Sequence, residues 1–268
     1  MPASGDQRGP EQPQQPVSEH SRRRAVTALL RDHNGETIGS GVVVSTAADG
    51  SWVATNRHVV DGHGTVCVVT ADGQVRTAVW SEPDGTGTNQ SLDLALLWTP
   101  NDTQTTLIAA VIKTTAVKPS ELSVVVATGF PSHQQTAGEG QGVYSEVRGL
   151  LVPLLKEPLE GGFDLAYTAA VEKGMSGGGV FIGDRLIGIN GSHPHPLWPG
   201  RWHQQNGQPV NDQLNQQVEL VALGLSAAVI EKRLGQAQRP DDQATAQHGA
   251  APCAGLAKNA ESRPIPAW

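Results

Sequence analysis

From Ala25 onward, Val, Ile, Leu and Thr fall in short runs cut by polar, glycine-bearing turns, the spacing of an all-β protein. Six runs lie at 25–31, 36–45, 51–56, 65–70, 74–81 and 92–99. His33-Asn34-Gly35, Ala48-Asp49-Gly50 and Ala71-Asp72-Gly73 supply tight-turn chemistry between them. Six more lie near 123–128, 142–152, 164–171, 178–182, 185–190 and 218–224. Two sets of six joined by the 101–120 connection predict two packed six-stranded antiparallel β-barrels with a cleft between them. A C-terminal helix follows, with Ser226 as N-cap, Val229, Ile230 and Leu234 on one face, Lys232 and Arg233 near its end, and Gly235 as the stop. It should dock on the second barrel. The stretch 192–217, with Pro194, Pro196, Pro199, Trp198 and Trp202, reads as an extended surface loop.

The ends of the chain differ in texture. Residues 1–24 are rich in Pro, Gln, Glu, Ser and Gly and too poor in large apolar side chains to offset the entropy of ordering, so a disordered arm is expected. Residues 236–268 read as a second such tail, which leaves 25–235 as the folded unit. With 268 residues and 38% hydrophobic content, the chain can bury one or two cores, and it holds no apolar run long enough to span a bilayer. A net charge of −7 argues against nucleic acid as a partner. Arg22-Arg23-Arg24 reads as a solvated cluster. The apolar run behind it ends at Arg31, short of a secretory core, so the default location is cytoplasmic, with export only if the start codon is misplaced. Cys67 reads as a small buried hydrophobe and Cys253 as a tail residue, with no disulfide framework and no oxidising compartment required. No cofactor is expected. The one His-x-His pair, His193 and His195 with His203 nearby, lacks a defined metal ligand set, and oligomeric state leaves no signal.

Three segments carry candidate chemistry. Gly174-Met175-Ser176-Gly177-Gly178-Gly179 sets a serine among glycines, which reach positive φ and let a ligand approach the main chain. Such a turn can expose one hydroxyl beside the N–H groups of Gly174 and Ser176, a candidate oxyanion hole. An ordinary glycine-rich turn also fits. The strained elbow of α/β-hydrolases fits less well, because 178–190 reads as strand where that elbow needs a helix. A serine needs a base to take its proton. Of the nine histidines, only His58 sits at the end of a core strand. Asp93 is planted in the apolar run Ser91-Leu92-Asp93-Leu94-Ala95-Leu96-Leu97, where a buried carboxylate wants a partner; a solvent-facing strand edge is the alternative.

Thr55-x-x-His58-Val59-Val60, Asp93-Leu94-Ala95-Leu96-Leu97 and Gly174-x-Ser176-Gly177-Gly178 resemble the three signature segments of the trypsin-like, chymotrypsin-fold serine proteases, most of all bacterial members of the HtrA type. Gly39-Ser40-Gly41, Gly129-Phe130-Pro131 and Leu186-Ile187-Gly188-Ile189-Asn190 add supporting echoes, and the likeness covers about 25–235. The resemblance implies Ser176 as nucleophile, His58 as general base and then acid, Asp93 as its orienter, and Gly174 with Ser176 as oxyanion donors. It implies a peptide or unfolded-protein substrate cleaved through an acyl-enzyme. Ala170 would lie at the base of the primary pocket with Val171 beside it, favouring uncharged side chains. Ile189, Asn190, Gly191 and Ser192 would form the edge that pairs with the substrate backbone. The chain departs from the pattern at Met175, where digestive members carry an acid that pairs with a new amino terminus. The stretch beyond Gly235 is too short and polar for the peptide-binding (PDZ) module of many HtrA-type chains. The rival reading is a catalytically silent barrel that binds peptides in the same cleft.

Overall fold

The computed structural model describes residues 17–63, 65–80, 92–101, 107–113, 123–134, 142–192, 200–240 and 253. Its first half is a closed antiparallel barrel of β1 (Thr27–Arg31), β2 (Thr37–Thr46), β3 (Gly50–Thr55), β4 (Thr65–Val69), β5 (Val75–Trp80) and β6 (Ala95–Pro100), in the order β1-β2-β3-β6-β5-β4. The first hairpin turns at Gly35, whose φ of 85° suits glycine, while Asp32 Oδ1 accepts the N–H groups of Asn34 and Glu36 at 2.9 and 2.8 Å. Side-chain alternation sorts the strands into two faces. Leu30, Val43, Val53, Val68 and Leu97 fill the barrel interior. Val42, Val44, Trp52, Leu96 and Trp98 face outward into a cluster shared with Phe163, Phe181, Leu186, Ile189 and Leu225 of the second half. That shared cluster is the seam of the molecule.

The second half holds β7 (Val111–Ile112), β8 (Val124–Gly129), β9 (Ser145–Leu150), β10 (Leu165–Tyr167), β11 (Gly179–Ile182), β12 (Arg185–Ser192) and β13 (Ala222–Ser226). The sheet runs β10-β13-β12-β11-β8-β9, and β7, in the inter-barrel connection, adds a parallel pairing to β12. The outer strands curl toward each other: Val152 N–H donates to Ala166 O at 2.8 Å and Thr168 N–H to Leu150 O at 3.0 Å. The architecture is the expected all-β double barrel of the chymotrypsin type, the first barrel closed and the second a strongly curved half-barrel sheet. The C-terminal helix α4 (Ala227–Leu234) docks Ile230, Val229 and Leu234 against the seam. Ser226 sits at its N-cap, with its hydroxyl and N–H both given to Asp164, at 2.6 and 2.7 Å.

Four expectations are corrected. A helix, α1 (Glu19–Val26), occupies residues assigned to the disordered arm, capped by Ser18 Oγ, which accepts Ser21 N–H at 3.1 Å. The arginine trio within it is no solvated cluster. Arg23 is buried against Glu146, Arg22 pairs with Asp184 at 2.6 Å, and Arg24 lies over the rings of Phe130 and Tyr144. The expected loop 192–217 ends in a helix, α3 (Asp212–Val218), because Asn211 accepts Leu214 N–H at 2.8 Å and Val218 buries into the seam. Val218 thus closes that helix, and the last strand starts only at Ala222. Finally, Cys67 on β4 forms a disulfide with Cys253, 186 residues away, with Cα atoms 5.6 Å apart. Residues 1–16, 241–252 and 254–268 lie outside the described residues, as do His193 and His195.

Candidate active site

His58 lies on α2 (Arg57–Val60), the short helix that follows β3. Asp93 lies just ahead of β6, the hydrogen-bonded neighbour of β3, so the barrel brings the two side chains together from positions 35 residues apart. The contact has two points: His58 Nδ1 is 2.8 Å from Asp93 Oδ2, and the His58 main-chain N–H donates to Asp93 Oδ1 at 3.0 Å. Asp93 is itself held at both ends of its backbone. Its N–H donates to Gly161 O of the second half at 2.8 Å, and its carbonyl accepts Asn56 Nδ2 at 3.1 Å. The carboxylate is 15% exposed and the imidazole 51%, so the acid is sheltered while the ring still meets solvent. The solvent-facing alternative for Asp93 is excluded.

The serine turn belongs to the second half, just ahead of β11. Gly174 has φ 95° and Gly177 φ 81°, values that side-chain-bearing residues rarely adopt. A Cβ at Gly177 would collide with Ser40 O and Thr55 Oγ1, and one at Gly174 with Phe130 O and Ser132. The glycines are therefore required by both backbone conformation and space. The first barrel grips the turn directly. Ser40 N–H donates to Ser176 O at 2.9 Å, Ser40 Oγ donates to Gly174 O at 2.7 Å, and Phe130 N–H donates to Ser40 Oγ at 3.0 Å. Gly39 is the spacer between this turn and α2: a methyl group there would lie 2.7 Å from Val59 Cγ1 and 3.3 Å from Ser176 O. Residue 59, next to His58, and the backbone of Ser176 thus flank one glycine.

Ser176 Oγ donates a long hydrogen bond, 3.5 Å, to Gly191 O; among the described residues it makes none to the His58 ring. The neighbouring N–H groups are partly committed: Met175 N–H goes to Glu172 O at 3.0 Å, Gly177 N–H to Asn190 O at 2.9 Å, and Gly178 N–H to Met175 O at 3.0 Å. Those of Gly174 and Ser176 enter no hydrogen bond among the described residues. They are the two named from the sequence as candidate oxyanion donors.

The expected substrate-binding residues divide. Ala170 is exposed, whereas Val171 is buried in the core of the second sheet. Ile189 and Asn190 do not form a free edge, because β12 lies between β11 and β13. Ile189 pairs with Gly179 on one side and Leu225 on the other, and Asn190 N–H donates to Gly178 O at 2.8 Å. Both side chains are fully buried. Gly191, also buried, offers its carbonyl to Ser176, and half-buried Ser192 ends the strand. In the sequence Ser40 stands only as part of a glycine-flanked echo. The signal was there, a small hydroxyl residue between glycines, but its partners lie 90 and 134 residues away.

The family model of the trypsin-like peptidase domain matches residues 39–189, more than half of the chain. With the double barrel above, the chain belongs to the trypsin-like serine protease family. No curated protein matches it. Among the described residues, no helix is long and apolar enough to cross a membrane.

Proposed function

We propose that this protein is a serine endopeptidase that hydrolyses peptide bonds through Ser176, His58 and Asp93. The observation that carries the reading is the two-point grip of Asp93 on His58, together with a glycine-built turn in which the N–H groups of Gly174 and Ser176 enter no hydrogen bond among the described residues. The mechanism requires Ser176 Oγ to leave Gly191 O and donate to His58 Nε2; such contacts commonly tighten only when substrate is bound. Ser176 Oγ then attacks the peptide carbonyl carbon while His58 takes its proton. The C=O electron pair moves to oxygen, where the N–H groups of Gly174 and Ser176 stabilise it by roughly 3 kcal/mol per donor. Collapse of the adduct breaks the C–N bond, and the leaving amine takes the proton from His58. Water, deprotonated by the same imidazole, releases the acyl group and returns the proton to Ser176. Asp93 holds the ring with Nδ1 protonated and steadies the imidazolium.

Ala170, at the position that the resemblance assigns to the primary pocket, carries no charge, which supports a preference for uncharged, small or aliphatic side chains. Profiling with a peptide library tests this, and clustering of cleavage after Lys or Arg would overturn it. Kinship with the HtrA-type branch rests on the motif resemblance. The disulfide points to an oxidising compartment, where such bonds persist. The decisive test is a fluorophosphonate probe, which should label Ser176 in the wild type and fail to label His58→Ala. An unlabelled wild type would favour the silent peptide-binding barrel.

A further inference from the structure

Asn190 is fully buried, and its amide is committed to the frame around the nucleophile turn. Nδ2 donates to Met175 O at 3.0 Å and to Thr128 O at 2.9 Å, while Oδ1 accepts Tyr167 O–H at 2.8 Å. Its main-chain N–H and C=O add bonds to Gly178 O and from Gly177 N–H, at 2.8 and 2.9 Å. Met175, Gly177 and Gly178, three neighbours of Ser176, therefore converge on one side chain and its backbone.

The orientation of the amide is forced. Two carbonyls face one end, and only an NH2 group can satisfy both, so Oδ1 must face Tyr167. Tyr167 is fully buried, and burial pushes its phenol well above the ordinary range, so its proton stays on to donate. Met175 O is the decisive contact. That carbonyl shares a planar trans peptide with the N–H of Ser176, so anchoring one end of the unit aims the other. The second candidate donor is treated alike: Lys173 O, in the peptide that carries Gly174 N–H, accepts Ser132 N–H at 2.8 Å.

We propose that Asn190, oriented by Tyr167, is a positioning residue that holds the Met175–Ser176 peptide with its N–H aimed at the developing oxyanion. The inference rests on the peptidase reading above and adds to it. With methionine at 175, where digestive relatives carry an acid, this anchor is built from neutral groups and is set when the chain folds.

The test compares wild type, Asn190→Ala and Tyr167→Phe for kcat and KM on a peptide substrate, counted per fluorophosphonate-titratable site, and for inhibition by a peptide aldehyde. The aldehyde forms a tetrahedral adduct whose oxygen needs the same donors. Losing the anchor should lower kcat about 10- to 100-fold in Asn190→Ala and about 3- to 10-fold in Tyr167→Phe, with KM within about two-fold. Aldehyde affinity should fall in proportion. A variant that melts earlier but keeps kcat and aldehyde affinity per site within about two-fold shows mere structural support and overturns the proposal. So does a rise in KM at constant kcat. If Asn190→Ala does not fold, Tyr167→Phe decides by the same criteria. A wild type that is not labelled at all removes the peptidase reading and this inference together, whereas a labelled wild type with indifferent variants removes this inference alone.

Discussion

Arg23 and Glu146, 123 residues apart, share two parallel hydrogen bonds of 3.0 Å that tie the N-terminal helix to the start of β9. Their side chains are 4% and 14% exposed, and Tyr144 O–H donates to the same carboxylate at 2.7 Å. Removing one partner of a pair this buried leaves the other uncompensated. Arg23→Ala should therefore destabilise the protein by about 3 kcal/mol in a denaturant titration. Burial pushes the Glu146 carboxyl up, but hydrogen bonds from Arg23, Tyr144 and His20 and the charge of Arg23 outweigh it and hold the group below its ordinary value. A carboxyl held low in the folded state adds stability that is complete above the ordinary value of 4.5 and is lost as pH falls through the lowered one. Acid unfolding curves of wild type and Arg23→Ala should converge below that window. Parallel curves across it would show that the pair contributes little.

Asp93→Asn separates a structural carboxylate from one that orients the base. Asp93 offers two acceptors to His58, one to the ring and one to the main chain, and asparagine offers only one. The ring then loses the acceptor that keeps Nδ1 protonated. A drop in kcat of about ten-thousand-fold is expected with little change in melting temperature. A loss below about ten-fold in steady-state assays would assign Asp93 a packing role.

Ser40→Ala removes one hydroxyl that serves two buried main-chain groups, the C=O of Gly174 and the N–H of Phe130. Each left unmet costs about 1 kcal/mol or more, so a loss of about 2 kcal/mol is expected from chemical denaturation. Activity should fall further than stability, because Gly174 carries one of the candidate oxyanion donors. Equal activity per folded molecule would show that the turn holds its shape without this clamp.

Reduction of the Cys67–Cys253 bond should lower stability by about 2–4 kcal/mol, since the bridge restrains the unfolded chain over 186 residues. A peptide map without reductant should contain a fragment joining the two cysteines. Recovery of both as alkylated thiols from protein never exposed to reductant would remove the bridge from the account.

Strand positions and turns could be read from the chain because they are local properties. The alternation of Val42, Val43 and Val44 across β2, and the turn at Asn34-Gly35, depend on neighbours a few residues away. The serine turn was legible for the same reason, as Gly174 and Gly177 announce a backbone that other residues avoid. His58 and Asp93 stood out as polar residues at the margins of apolar runs. Helix α3 was not legible, because the stretch before it gives no periodic signal and only the cap at Asn211 and the burial of Val218 make it helical.

The order of runs along the chain was enough to specify two β-rich halves and to name candidate residues for acyl-transfer chemistry. Tertiary structure alone decided that Arg23 is an anchor, that Cys67 has a partner, and that Asn190 turns inward to Met175 and Tyr167 instead of forming an edge. The reason is physical. Conformational preference is set by a residue's immediate neighbours, whereas the partner that satisfies a buried charge, thiol or amide is chosen by what the folded chain brings within bonding distance.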